Sequence, residues 1–133
     1  MTVNILLITH DNVGTALLAA ATNTLSFCPL TAEVLPVNPQ SDPNETVEIA
    51  KNIIERIDDG AGVLVLTDIY GATPCNIACA FKDNPKIRIL SGLNLPMLIR
   101  VFNYSSLSLE DLTLKAISGG KEGILDCIAQ LTK

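Results

Sequence analysis

The stretch VNILLITHDNVGTALLAAATNTL, residues 3–25, sets two kinds of pattern side by side. VNILLIT (3–9) is apolar almost throughout, as a short strand covered on both faces must be, whereas VGTALLAAATNTL (13–25) reads as a helix. Between them stands His10, the only histidine of the chain. The alternation continues outward. AEVLPV (32–37) precedes PNETVEIAKNIIERID (43–58), GVLVLT (62–67) precedes TPCNIACAF (73–81), and KIRIL (86–90) precedes a short piece from Pro96 and a longer one from about Leu107. Strands alternating with helices define βαβ units. The first and third strands are continuous apolar runs, so the sheet is expected to be mainly parallel, four-stranded and covered by helices on both faces, a three-layer α/β/α architecture. Pro43 near a helix start and Gly60 past a helix end agree with the usual terminus signals. Past SGG (118–120), KEGILDCIAQL reads either as a helix or as an edge strand, which makes an antiparallel edge strand near the C-terminus an open alternative.

The remaining composition bounds what such a domain does. With 133 residues, 48% of them apolar and 17% charged, the chain suffices for one domain over 1–133 with a buried core. No run approaches the roughly 18 uninterrupted apolar residues of a membrane span, and MTVNILLITHDN has no basic leader, so direct membrane insertion is not expected and a cytoplasmic location is. A formal net charge of -5 argues against nucleic acid, whose phosphates need a clustered basic face. Partners are then small molecules or proteins. Cys28, Cys75, Cys79 and Cys127 lack CxxC spacing and read as reduced thiols.

A parallel α/β sheet opens its binding crevice outside the carboxyl ends of its strands. His10 follows the first strand, and the third delivers Asp68 and the loop DIYGATP to the same edge. The fourth is expected to bring SGLNLP there as well. A carboxylate on one ring nitrogen fixes the tautomer and leaves the other a free lone pair, the arrangement of a nucleophile or base. Gly71 lets the backbone come close. Thr73 and Pro74 stand where a helix begins, so free amides and a hydroxyl are available to an anion such as a phosphoryl group. Taken singly, each residue has a plainer reading: a structural histidine, a turn or cap aspartate, a capping threonine. Cys75 and Cys79, four apart, read as small core residues rather than metal ligands, and neither a metal nor a cofactor is called for.

Together these residues resemble a known family, the mannose-type enzyme IIA domains of the bacterial phosphoenolpyruvate-dependent sugar phosphotransferase system. ILLITHD, VLVLTDIYGATPCNIA, SGLNLPML and GGKEGI carry the resemblance over nearly the full length, and the second of these is the most specific. It implies that His10 takes a phosphoryl group from the histidine phosphocarrier protein HPr and passes it to a IIB component, or serves a regulatory target. It also implies that Asp68 is the partner of His10, and that Gly71, Ala72, Thr73 and Asn76 hold the phosphoryl group. The GLNLP loop, Gly92 to Pro96, matches too. A homodimer is implied as well; with no IIB domain or linker after Lys133, a free-standing IIA protein is expected. The family pattern has glycine after the histidine; here Asp11 stands instead, adding negative charge beside the site, and Gly14 is expected to restore backbone freedom. Two other readings remain at this point. One is a hydrolase using Cys75 in the first turn of a helix, with His10 as its base. The other is a regulatory domain of the same fold that transfers nothing.

Overall fold

A computed structural model describes residues 1–132. Its elements run β1 (Asn4–His10), α1 (Val13–Leu25), β2 (Ala32–Val37), α2 (Pro43–Ile57), β3 (Val63–Thr67), α3 (Thr73–Cys79), β4 (Ile87–Leu90), α4 (Leu95–Asn103), α5 (Leu109–Glu122) and α6 (Cys127–Leu131). The four strands pair in parallel in the order β2-β1-β3-β4. Alternate strand residues point to opposite faces, and both faces are apolar. Ile5, Leu7, Leu64 and Leu66 pack with residues of α1, α4 and α5. Leu6, Ile8, Val63 and Val65 pack with Ala50, Ile54 and Ile57 of α2 and Ile77 and Ala78 of α3. The expected three-layer α/β/α fold is therefore the one observed. No described helix is long and apolar enough to cross a membrane.

The C-terminal end resolves the ambiguity toward helix, and no fifth strand, parallel or antiparallel, joins the sheet among the described residues. Two local causes act. The glycine pair that weakened the pattern lies buried inside α5. A Cβ on Gly119 would fall 2.5 Å from Arg100 Cβ, so the missing side chain lets α5 press against α4. Farther on, the Asp126 side chain accepts a hydrogen bond from the Ala129 N–H (3.1 Å) and caps α6, turning ILDCIAQL away from an extended course.

Two buried threonines hold the loops at the carboxyl edge. Thr9 Oγ1 accepts from the Gly14 N–H (2.8 Å) at the start of α1, where Asn12, the N-cap residue, contributes no side-chain bond. The Thr67 carbonyl accepts from the Leu93 N–H (3.0 Å), drawing the loop after β4 toward the end of β3.

Candidate phosphoryl-transfer site

In the order β2-β1-β3-β4, the chain leaves β1 toward β2 and returns across it to β3. The direction of winding thus reverses between β1 and β3, and the crevice of such a sheet opens at that reversal. His10 ends β1 and Asp68 follows β3. Asp68 Oδ2 accepts two hydrogen bonds from the same residue, one from the His10 backbone N–H (3.0 Å) and one at His10 Nδ1 (2.9 Å). With Nδ1 engaged, the second ring nitrogen, Nε2, is the one left for chemistry. The imidazole side chain is 46% exposed and the carboxylate 13%. Burial works against ionisation of Asp68, but the backbone and ring hydrogen bonds from His10 outweigh it and hold the carboxyl below its ordinary range. Asp68 is accordingly an anion at neutral pH. Its other oxygen, Oδ1, is buried and has no hydrogen-bond partner among the described residues.

His10 opens onto a cavity of about 420 Å³ lined also by Asp11, Val37, Asn38, Ser41 and Thr73. Of the residues expected at the site, the fold brings His10, Asp68 and Thr73 together. Asn76 lines an adjoining pocket that shares Thr73. Ala72 is the extended N-cap residue of α3 and makes no side-chain cap, and Gly71 turns the loop before it at φ +82°, with open space where a Cβ would stand.

Two expectations need correction, and one wall of the cavity is not among those expected. The loop after β4 does not line the His10 cavity; Gly92 and Asn94 line a separate pocket with Met97 and Gly120. Asn94 Oδ1 accepts from the Met97 N–H (2.9 Å) while its Nδ2 donates to the Gly120 carbonyl (3.2 Å), so GLNLP and the glycine pair of GGKEGI bind each other, not the histidine. The second wall of the cavity comes from the loop after β2, with Asn38 and Ser41. Its signal in the sequence is the sheet order: β1 lies between β2 and β3, so the loop after β2 borders His10 as directly as the loop after β3. Finally, Gly14 does not supply backbone freedom. It is absent from the positive-φ positions, and its role is space, since a Cβ there would lie 2.9 Å from Thr9 Oγ1.

Cys75 is buried and does not line the cavity. Its neighbour Cys79 has a thiol pushed up by partial desolvation and by Cys75 beside it, the reverse of thiolate activation. Among the described residues no group of three or more His, Cys, Asp or Glu is placed to share a metal ion.

The structure is a parallel α/β protein with a half-exposed histidine, backed by a carboxylate, at the reversal point of its sheet. Comparison gives the family. The sequence profile described as PTS system fructose IIA component (EIIA-man) matches residues 4–117, and the chain belongs to this family of the phosphotransferase system. It is 42% identical over 60 residues to the fructose-specific EIIA component of Bacillus subtilis (strain 168), covering 42% of this chain and 41% of that protein. Identity to the mannose-specific EIIAB component of Escherichia coli (strain K12) is 30% over 74 residues, or 53% of this chain and 23% of that protein. The chain thus spans less than half the length of these curated relatives. A crystal structure of the phosphotransferase system component EIIA from Streptococcus agalactiae superposes with a TM-score of 0.82 at 27% identity, covering 96% of this chain and 98% of that one.

Proposed function

We propose that the protein is a phosphoryl carrier of the sugar phosphotransferase system, accepting a phosphoryl group from phospho-HPr on His10 and passing it to a IIB component or using its phosphorylation state for regulation. The observation that carries this reading is the pair His10 Nδ1 and Asp68 Oδ2 at 2.9 Å beneath a half-exposed ring. With the Nδ1 proton held by the carboxylate, Nε2 keeps its lone pair and attacks phosphorus in line as the donor's P–N bond breaks. The transition state is loose, so the protein's task is to position groups and meet charge. The Thr73 hydroxyl, in the cavity of His10, and the backbone amides of Gly71, Ala72 and Thr73, where α3 begins without a side-chain cap, are the donors to meet developing charge on the phosphoryl oxygens, with Asn76 in the adjoining pocket. Incubation with phosphoenolpyruvate, enzyme I and HPr should add one acid-labile phosphoryl group per chain, detected by intact mass at neutral pH. A chain that stays unmodified under those conditions is not a carrier.

Cys75→Ser is expected to leave the rate of labelling within about twofold of wild type, because serine nearly conserves the volume and the thiol is not part of the cavity. Loss of labelling in a folded Cys75→Ser protein would turn the assignment toward thiol chemistry.

We further propose a homodimer. Ile124, Leu125, Ile128 and Leu131 are between 60% and 84% exposed, a contiguous apolar stretch of the kind that marks an association surface. Light scattering at micromolar concentration should report a dimer, and Ile128→Asp with Leu131→Asp should shift it to monomer. A wild-type monomer would refute the dimer.

A further inference from the structure

Among the described residues, Asp11 is one of two non-glycine positions with positive φ (+40° at Asp11, +66° at Ser26), and it directly follows the histidine. Its backbone is fixed in this conformation because the Asp11 N–H donates to the Val37 carbonyl (2.9 Å) at the end of β2. Glycine would hold this conformation at lower cost, so the carboxylate is carried at the expense of some backbone strain. The strain sits at the mouth of the site, for Asp11 and His10 line the same cavity. Among the described residues lining that cavity none is Lys or Arg; apart from the imidazole, Asp11 is the one titratable group there.

From this placement we infer that Asp11 sets the phosphoryl-transfer potential of His10, its negative charge raising the free energy of the phosphorylated form so that the group is readily passed on. The inference rests on the carrier reading above. In the exchange, the donor's P–N bond breaks as the bond from phosphorus to His10 Nε2 forms. The donor nitrogen recovers its lone pair, and the Nδ1 proton stays on His10 against Asp68. Atoms and charge balance with no further reactant. The product carries about two negative charges on the phosphoryl oxygens. A carboxylate lining the same solvent-open cavity disfavours that product by about three- to tenfold in the equilibrium constant, and salt weakens the effect. Asp68 does not act in this way. Its charge lies behind the ring and pairs with the Nδ1 side.

The test is the equilibrium between phospho-HPr and the protein, read as the phosphorylated fraction of each chain by intact mass. Asp11→Asn keeps the shape and removes the charge; Asp11→Gly removes charge and strain together, and serves as a second reading should the asparagine variant fold poorly. Both should shift the equilibrium toward phospho-His10 by about three- to tenfold at low ionic strength, and the shift should shrink markedly at about 0.5 M salt. Glu55→Gln makes the same change in net charge on the exposed far end of α2, whose Ile57 carbonyl meets Asn4 at the opposite edge of the sheet, and it should leave the equilibrium unchanged. Wild-type equilibria in both Asp11 variants, or a shift matched by Glu55→Gln, would overturn the role of Asp11 while leaving His10 a carrier. A wild-type protein that takes no phosphoryl group from phospho-HPr, or from phosphoramidate as a small-molecule donor, would overturn the carrier reading and this inference with it.

Discussion

His10→Ala is expected to eliminate acid-labile labelling altogether. The chain contains one imidazole, and no other described side chain lining the cavity offers a basic nitrogen. The fold should survive the change. The ring is half-exposed, and the Asp68 carboxylate keeps the hydrogen bond from the residue 10 backbone N–H, so the cost in stability is the loss of one hydrogen bond, about 0.5–1.5 kcal/mol. Circular dichroism through a thermal melt provides the folding check, and intact mass after incubation with phospho-HPr provides the readout. A phosphoryl group retained by the alanine variant would mean that it resides on another residue.

The histidine and its aspartate were legible in the sequence because topology alone places them. A run such as GVLVLT, apolar at every position but its ends, has to be a strand covered on both faces, and β3 begins within one residue of that run. Once the sheet is parallel, residues just past successive strands share an edge. What pattern cannot supply is which edge loops touch. SGLNLP follows a strand as DIYGATP does, yet Asn94 is spent on capping α4 and tying it to α5, a tertiary arrangement no local signal announces. The glycines of SGG show the same limit. In isolation a glycine pair weakens a helix, and here α5 runs through it because the gain from packing on Arg100 and Met97 outweighs the propensity cost, about 1 kcal/mol per glycine. The positive φ of Asp11 lies beyond pattern reading as well, since it follows from a backbone hydrogen bond to a strand 26 residues later.

Asp68 offers the more discriminating experiment, because two substitutions separate orientation from charge. In a generic pairing, asparagine is free to turn its amide toward the ring and donate to Nδ1, which moves the proton to Nε2 and removes the reactive lone pair. This site restrains that rotation. The oxygen facing Nδ1 also accepts from the His10 backbone N–H at 3.0 Å, and a backbone N–H only donates. In Asp68→Asn the carbonyl oxygen is therefore held in the position of Oδ2, and the tautomer with the proton on Nδ1 persists. The amide nitrogen then falls at the position of Oδ1, which is buried without a partner, and should cost on the order of 1–3 kcal/mol in stability. What transfer loses is the negative charge that compensates the imidazole as Nε2 gives up its lone pair. Labelling from phospho-HPr should slow by roughly ten- to a hundredfold. Asp68→Ala removes charge and acceptor together, frees the ring to change tautomer, and should slow labelling by about two to four orders of magnitude. Nitrogen-15 chemical shifts of the His10 ring give an independent readout: the Nδ1–H form should dominate in wild type and Asp68→Asn, and the two tautomers should mix in Asp68→Ala. An asparagine variant as slow as alanine, with its proton on Nε2, would show that the backbone N–H does not govern the amide's orientation; one as fast as wild type would show that the charge of Asp68 contributes nothing to transfer.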